Sequence, residues 1–349
     1  MSIDLRIHLL NSCIQVRRAL EDLDLCIVHH WDVDGVASSA IVAKIFNITK
    51  FCVPKIGCYG IECIGTEHSR YLILDYGIAP KRSVGIVGVV DHHRVELSNS
   101  DASDCVSLCN PVALGRYSEN DFPSTTWVLA RLILTDREAD SVKELVALGI
   151  VGDIGSRVAS SSWLELVVKA FGSVDRALRV ARIVDACYQR CDYSCIDYVR
   201  RLLVECGVEC IEEDSRLLDA HREIEEEFKK VLRNIVPIYV DSEIEVFRAR
   251  SRFFITSRIG RYLADRNPDK VVVVLHHVEG LNEGFLYIRS HRRRLTEILH
   301  VLRALRYNAG GKDFVVAAIC RDPFCNDVEE LVETLVGILH EKSTGFGSR

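Results

Sequence analysis

Two histidine and two aspartate side chains crowd into six residues, His29 to Asp34, within the stretch LCIVHHWDVDGVASS at 25–39. The apolar run Leu25–Val28 predicts a buried strand, and VASSAIVAKIF after Gly35 predicts a helix packed on it, with Gly35 letting the backbone turn. His29, His30, Asp32 and Asp34 therefore fall where a strand passes into a helix, and ligands gather at the carboxyl ends of strands. Carboxylates this close repel unless a proton or a cation lies between them, and neighbouring imidazoles favour a metal. The arrangement recurs. LILDYG puts Asp75 behind a run at Tyr71–Leu74, with Gly77 following. VGIVGVV at 84–90 leads into Asp91, His92 and His93, and VALGIVGDIGS sets Asp153 between Gly152 and Gly155. A single acid after a strand is commonly a cap, but three strands ending on acids or histidines exceed what capping requires.

Asp32, Asp34, Asp75, His92 and Asp153, with His30 beside them, offer oxygen and nitrogen donors and no sulfur, a set that suits Mn²⁺ or Mg²⁺ better than structural zinc. Four carboxylates with imidazole exceed the needs of one ion and match two that share a bridging carboxylate. Such a pair, ~3.5–4 Å apart, polarises water and clamps a phosphoryl oxygen. The expected chemistry is hydrolysis of a phosphoester or phosphoanhydride without a side-chain nucleophile.

The elements that must position these groups follow from hydrophobic period. An opening helix is expected over residues 3–22, strands at 51–56, 71–74 and 84–90, and helix from Val142 onward, with residues 160–210 forming a helical subdomain. Pro123-Ser124-Thr125-Thr126 precedes an apolar helix, where the hydroxyls could cap it or meet a phosphate. Glu212–Asn234 is a charge-rich helix with a thin apolar stripe, suited to bridging domains. Strands and helices then alternate again. From Val246 to Asp322 there are fifteen Arg and Lys against seven Asp and Glu, in a chain of net charge −6. That basic surplus, densest at Arg289–Arg306 and followed by a Gly310-Gly311 turn, predicts a polyanion-binding groove facing the first domain.

The ordered motifs D-x-D-G, an isolated Asp, D-H-H and a later G-D over residues 25–155 resemble the DHH phosphoesterase superfamily. That superfamily includes RecJ-type nucleases, oligoribonuclease-type enzymes and family II inorganic pyrophosphatases. Arg289-Ser290 and Gly310-Gly311 resemble the DHH-associated substrate-binding domain, although Lys312 stands where that pattern has His. The resemblance implies an α/β architecture: a parallel-sheet DHH domain with helices on both faces (1–210, including the helical subdomain), a linker helix (211–237) and a smaller α/β domain (238–349). It implies that Asp32 and Asp75, with His30, hold one metal, and that Asp34, Asp75, His92 and Asp153 hold the other. Asp91 would orient an imidazole. His93 would face the scissile phosphate, and Arg289, Ser290, Arg292, Gly310, Gly311 and Lys312 would contact substrate. His29 is expected to be a packing residue. The H-x-D-x-D-G form looks like the archaeal RecJ-like branch, which implies a Mn²⁺- or Mg²⁺-dependent exonuclease on single-stranded DNA or RNA, of the DNA-repair kind. A small-molecule phosphoesterase acting on short oligonucleotides, cyclic dinucleotides or pyrophosphate is the alternative. A replication scaffold is the third reading, and a helicase or replisome component is a candidate partner.

Composition adds bounds. A chain of 349 residues should form about two domains. MSIDLRIHLL lacks the pattern of a secretory signal and apolar runs such as VVVVL at 271–275 are too short to span a bilayer, so a cytoplasmic location is expected. Fourteen cysteines without a CxxC pair are read as buried small hydrophobes, with disulfides of a hyperthermophile protein as the rival. One Met and two Gln fit a hot source. The last nine residues are expected to fray.

Overall fold

The computed structural model describes residues 3–22, 24–65, 69–78, 85–95, 106–114, 117–320 and 333–337. The first residue of the expected 84–90 strand and the expected frayed tail lie outside them. Two compact units emerge: the described residues up to His221 form the first, and those from Arg222 onward, with Gly57–Gly60 and Gln189–Cys191, form the second.

In the first unit, helix α1 (Ile3–Ala19) leads to strand β1 (Cys26–His29), helix α2 (Val33–Phe46) and the two-residue strand β2 (Phe51–Cys52), with β3 (Tyr71–Leu74), β4 (Ile86–Val90) and β5 (Ser107–Cys109) following. All pair in parallel, in the order β2-β1-β3-β4-β5. The chain builds outward from β1 to one side through β2 and to the other through β3, so the topological switch lies between β1 and β3, where a crevice opens at the strand ends. The strands are short and almost wholly apolar because both faces are covered. Helix α1 lies along β4 and β5, where Gly88 admits the Val16 side chain at 3.1 Å from a would-be Cβ. Strand β5 falls in a polar stretch whose three residues carry too little pattern to announce it.

Helices complete the unit: α3 (Thr125–Val128) running into a π-helical turn at Leu129–Ile133, α4 (Asp136–Ser141), α5 (Lys143–Ile154), α6 (Leu164–Phe171), α7 (Val174–Gln189), α8 (Tyr193–Glu205) and α9 (Val208–Glu213). Thr135 opens α4 with a capping box to Glu138, whose carboxylate also pairs with Arg17 of α1 at 2.9 Å. Helix α10 (Ser215–Asn234) follows, and the boundary between the units falls within it.

The second unit is a six-stranded mixed sheet of order β10-β11-β9-β8-β7-β6, built from β6 (Pro237–Val240), β7 (Ile244–Ser251), β8 (Val271–Val278), β9 (Glu283–Arg289), β10 (Ala309–Lys312) and β11 (Val315–Cys320), with helices α11 (Thr256–Arg266) and α12 (Thr296–Ala304). Only β7 and β8 pair in parallel. One face buries Val246, Val273, Leu275 and Ile288 against Ile298 and Leu302 of α12. On the other, α11 approaches β9 so closely that a Cβ on Gly260 would enter the Tyr287 ring. His276 is locked between the Thr256 and Ser251 hydroxyls at 2.7 and 2.9 Å, and its burial pushes its pKa down to about 3.

Among the described cysteines the buried-hydrophobe reading holds for Cys26, which is free and buried, while Cys52 and Cys191 are free and half-buried and the rest are bonded. Disulfides join Cys13 to Cys109, Cys187 to Cys195 and Cys206 to Cys210, and Cys58, Cys63 and Cys320 are also bonded. Cys187, Cys191 and Cys195 do not share one helical face, because α7 stops at Gln189 and Cys191 adopts φ 60° before α8 begins. The Cys13–Cys109 link closes a loop of 96 residues between α1 and the end of β5, a length for which chain-entropy arguments give about 4–5 kcal/mol.

Gly260→Ala should destabilise the protein by about 1–2 kcal/mol, because overpacking Tyr287 exceeds the helix-propensity gain of about 1 kcal/mol. Thermal unfolding checks it, and a raised midpoint would contradict the close approach of α11 to β9.

Candidate metal centre

The strand ends at the switch point deliver His30, Asp32, Asp75, Asp91, His92 and His93 to one cup, and two helices deliver the rest. Asp32 is the N-cap of α2, with Oδ1 accepting from the Gly35 amide at 3.2 Å and Oδ2 lying 2.9 Å from His30 Nδ1. Contrary to the expectation from the sequence, Gly35 does not turn the chain. It sits inside α2, where a Cβ would strike the His30 carbonyl. Asp34, in the first turn of α2 and 1% exposed, reaches across to the start of α3 and accepts the Thr125 and Thr126 amides at 2.6 and 3.1 Å. The Ser-Thr cluster therefore presents its amides to a carboxylate of the protein itself, while Ser124 caps the helix through Trp127 N–H. Thr125 also donates its hydroxyl to Asp75 Oδ1 at 3.0 Å.

Asp75 takes φ 58°, a left-handed conformation uncommon outside glycine, asparagine and aspartate, and Gly77 follows at φ 63°. Two successive departures from extended backbone turn the chain at the end of β3 and drop the Asp75 carboxylate into the cup, a strained position typical of a functional site. Asp91, fully buried, does not face the cup's centre. Its Oδ1 accepts from the His92 and His93 amides at 2.7 and 2.9 Å and lies 2.6 Å from His93 Nδ1, and its Oδ2 accepts from the Gly77 amide at 2.6 Å. One carboxylate thus ties the loop after β3 to the loop after β4 and sets the His93 ring. Asn110, also fully buried, clamps that loop from the other side: its side-chain amide donates to the His93 carbonyl, and its oxygen accepts from Val112 and Ala113. Thr125 lies in the Ser-Thr cluster expected to cap a helix or meet a phosphate, but its bond to Asp75 was not foreseen, and Asn110 escaped the sequence reading as a site residue, since a lone amide in a polar loop has no spacing to betray it.

His92 carries the decisive geometry. Its Nδ1 lies 3.2 Å from the Phe122 carbonyl, which can only accept, so Nδ1 carries a proton and Nε2 faces the cup. There Nε2 lies 2.7 Å from Asp153 Oδ2, 3.6 Å from Asp75 Oδ1 and 4.0 Å from Asp34 Oδ2, without hydrogen-bond geometry to any of them. Three overlapping sets have donor atoms within 4.8 Å of one another: His30, Asp32 and Asp75; Asp34, His92 and Asp153; and Asp75, His92 and His93. One proton could bridge one such pair, whereas divalent cations would satisfy all three sets, so the donor set fits metal. Asp34, Asp75 and His92 form a closed floor, at 1–2% side-chain exposure, while His30, Asp32, His93 and Asp153 form an open rim at 19–33%.

The electrostatics agree. Burial, with Asp153 repelling, pushes the Asp34 pKa up to about 7 against its two amide bonds. Burial and the charges of Asp34, Asp32, Asp153 and Asp91 hold Asp75 well above the carboxylate range. Asp32 is depressed, burial being outweighed by His30, and Asp91 is depressed by His93 despite its burial. His29 turns away from the cup, its Nδ1 2.8 Å from the His30 carbonyl, and burial lowers it to about 4.

The residues expected to touch substrate belong to the second unit. Gly310 and Gly311 form no turn but lie within β10, where Gly310 receives the Tyr59 ring and Gly311 backs onto Val315. Ser290 is 3% exposed and spends its hydroxyl on the Arg292 and Arg293 amides. Arg292 pairs with Asp269 at 2.5 Å, Arg293 with Glu243 at 3.2 Å and Arg294 with Asp313 at 3.8 Å. Arg289 ends β9 with Nη1 3.3 Å from the Tyr287 hydroxyl, and Lys312 ends β10 opposite Val315.

No protein-family model matches the chain, and no curated protein matches it by sequence. Solved structures do match in fold. A DHH-domain protein described as a member of the s1p family of ribosomal proteins superposes with a TM-score of 0.63 at 15% identity, over 95% of this chain and 91% of that one. RecJ from Thermus thermophilus, in complex with Mn²⁺, gives 0.62 at 18% identity over 95% of this chain, which spans 55% of that protein. An exonuclease RecJ bound to manganese gives 0.60 at 15% identity, over 94% of both chains. The chain therefore has the two-sheet α/β fold of these DHH-domain proteins.

A Cβ on Gly149 of α5 would collide with Thr126 Oγ1 and Asp34 Oδ1. Gly149→Ala should accordingly cost about 1–3 kcal/mol and displace the Asp34 carboxylate. A thermal midpoint equal to that of the parent protein would contradict the packing of α5 against the cup.

Proposed function

We propose that the chain is a metal-dependent phosphoesterase of the DHH superfamily, a RecJ-like nuclease that hydrolyses phosphodiester bonds of single-stranded DNA or RNA. The observation that carries this reading is the convergence of four carboxylates and three imidazoles into three sets whose donor atoms lie within 4.8 Å of one another. The fold supports it, since solved proteins of this fold include RecJ bound to manganese.

His30, Asp32 and Asp75 would hold one divalent ion and Asp34, His92 and Asp153 a second, with Asp75 shared. Mn²⁺ is the expected ion and Mg²⁺ the alternative. When bound, the two ions would supply Lewis acidity to a phosphoryl oxygen and to the attacking water. The residues themselves supply position and protons. The Thr125 and Thr126 amides fix the Asp34 carboxylate, and Thr125 Oγ1 fixes that of Asp75. His93, oriented through Nδ1 by Asp91 and 23% exposed, would hydrogen-bond the scissile phosphate and hand a proton to the leaving oxygen. In the second unit, Arg289 and Lys312 would meet the anionic strand.

The ion pairs of Arg292, Arg293 and Arg294 neutralise much of the expected basic surface. That favours a second reading, a phosphoesterase for short substrates such as dinucleotides or pyrophosphate. Incubation with Mn²⁺ and labelled single strands, dinucleotides and pyrophosphate separates the two. Shortened single strands support the nuclease, activity confined to the small substrates supports the second reading, and no hydrolysis with any divalent ion overturns both. Asp75→Asn keeps a residue that tolerates φ 58° but removes a charge shared by both ions. It should lower the rate by at least about a hundredfold, the upper end of what an outer-shell partner costs.

Protons and cations compete for the same oxygens. Asp34 and Asp75 keep their protons in the fold at pH values where the unfolded chain has released them. Their stabilisation is therefore complete below the ordinary carboxylate range and is lost as pH rises through the folded value, about 7 for Asp34. Mn²⁺ should raise the thermal midpoint more at about pH 8 than at about pH 5.5, because protons hold the site at the lower pH. Comparing each pH with and without Mn²⁺ cancels the buried histidines, and no response at either pH contradicts the metal assignment.

A further inference from the structure

Trp127 follows directly on the Thr125–Thr126 clamp of Asp34, and its ring meets that of Trp163 edge to face, with centroids 4.9 Å apart and planes at 72°. Arg131 lies over the Trp127 ring, its Cζ 5.4 Å from the centroid. Both indoles are only half buried and Arg131 is exposed. Beside Trp163, Leu164 and Val168 stand 38% and 39% exposed on one helical face. Arg157, also exposed, lies in the turn Gly155–Ser160 that begins two residues after Asp153. Helix α5, which carries Asp153, packs against both α3 and α6, so the indole pair is braced by the elements that hold Asp34 and Asp153.

Packing alone does not call for this chemistry. An aliphatic side chain would close the contact between α3 and α6, whereas a half-exposed indole pair beside an exposed guanidinium combines π surface with positive charge. That combination is how unpaired bases are held without regard to sequence, the ring stacking and the cations following the phosphates. We infer that Trp127 and Trp163, with Arg131 beside them, form a stacking subsite for an unpaired base of a single-stranded substrate. This deepens the phosphoesterase reading and rests on it for the identity of the cleaved strand. The subsite accepts any base, because every base offers a π face, and it favours strands over pyrophosphate.

The chain has three tryptophans, and Trp31 is 3% exposed, so a fluorescence change on strand binding reports mainly Trp127 and Trp163. Metal-free protein is titrated with a deoxythymidine oligonucleotide and with an abasic strand of equal length. The thymidine strand should quench the emission and the abasic strand should not. Trp163→Leu should weaken binding of the thymidine strand by about tenfold and leave the abasic strand unchanged. With Mn²⁺ present, the same variant should raise KM for the thymidine strand by a similar factor at unchanged kcat. Equal quenching by the two strands, or undiminished thymidine binding by Trp163→Leu, overturns the subsite. The comparison of strands on the parent protein decides the matter even if the variant does not fold. Should the parent protein cleave neither strand, the nuclease reading fails, while the metal-free titration still judges the subsite.

Discussion

Asp32, Asp34, Asp75 and Asp153 are drawn together at the ends of two parallel strands and two helices, and their mutual repulsion is the constraint around which the first unit is built. Burial sharpens it, since a charge away from water is poorly screened and its neighbours act at close to full strength. The fold opposes it with backbone dipoles. Asp34 receives two amides from the start of α3, and Asp91 receives three from the loops on either side of it. Amides hold carboxylates in place without neutralising them, and the pKa directions of Asp34 and Asp75 record the charge that remains.

The same constraint explains the glycines near the cup. Gly35, Gly149 and Gly152 each stand where a Cβ would enter His30, Asp34 or Val33, so α2 and α5 come closer to the strand ends than side chains would allow. Positive φ at Asp75 and Gly77 does the complementary work on β3, turning the chain at its last apolar residue. Strain, close packing and charge are concentrated at the topological switch of the sheet, where loops from both directions diverge and leave room for a ligand.

Much of this was legible in the sequence because it depends on local pattern. The apolar runs before Asp32, Asp75 and Asp91 are strands at nearly the positions their composition implies, and their spacing carries the chain to one end of the sheet. What the pattern could not show depends on partners distant in the chain. Thr125 reaches Asp75 across 50 residues and Asn110 reaches His93 across 17, and local pattern shows neither partner. The Gly310-Gly311 pair looks like a turn by composition, yet it is a strand because Tyr59 needs the space above it. Cysteines likewise carry no label of partnership: Cys13 and Cys109 meet only because α1 lies along β5. The basic surplus of the second unit was visible as a count, but its pairing with Asp269, Glu243 and Asp313 was not.

All of this turns on cations completing a cup of acceptors. Crystals grown or soaked with Mn²⁺ and measured for anomalous scattering locate those ions without reference to activity. The account predicts two neighbouring peaks, one among His30, Asp32 and Asp75 and one among Asp34, His92 and Asp153. A map with no peak there, in crystals where the ion is bound elsewhere on the protein, would contradict it.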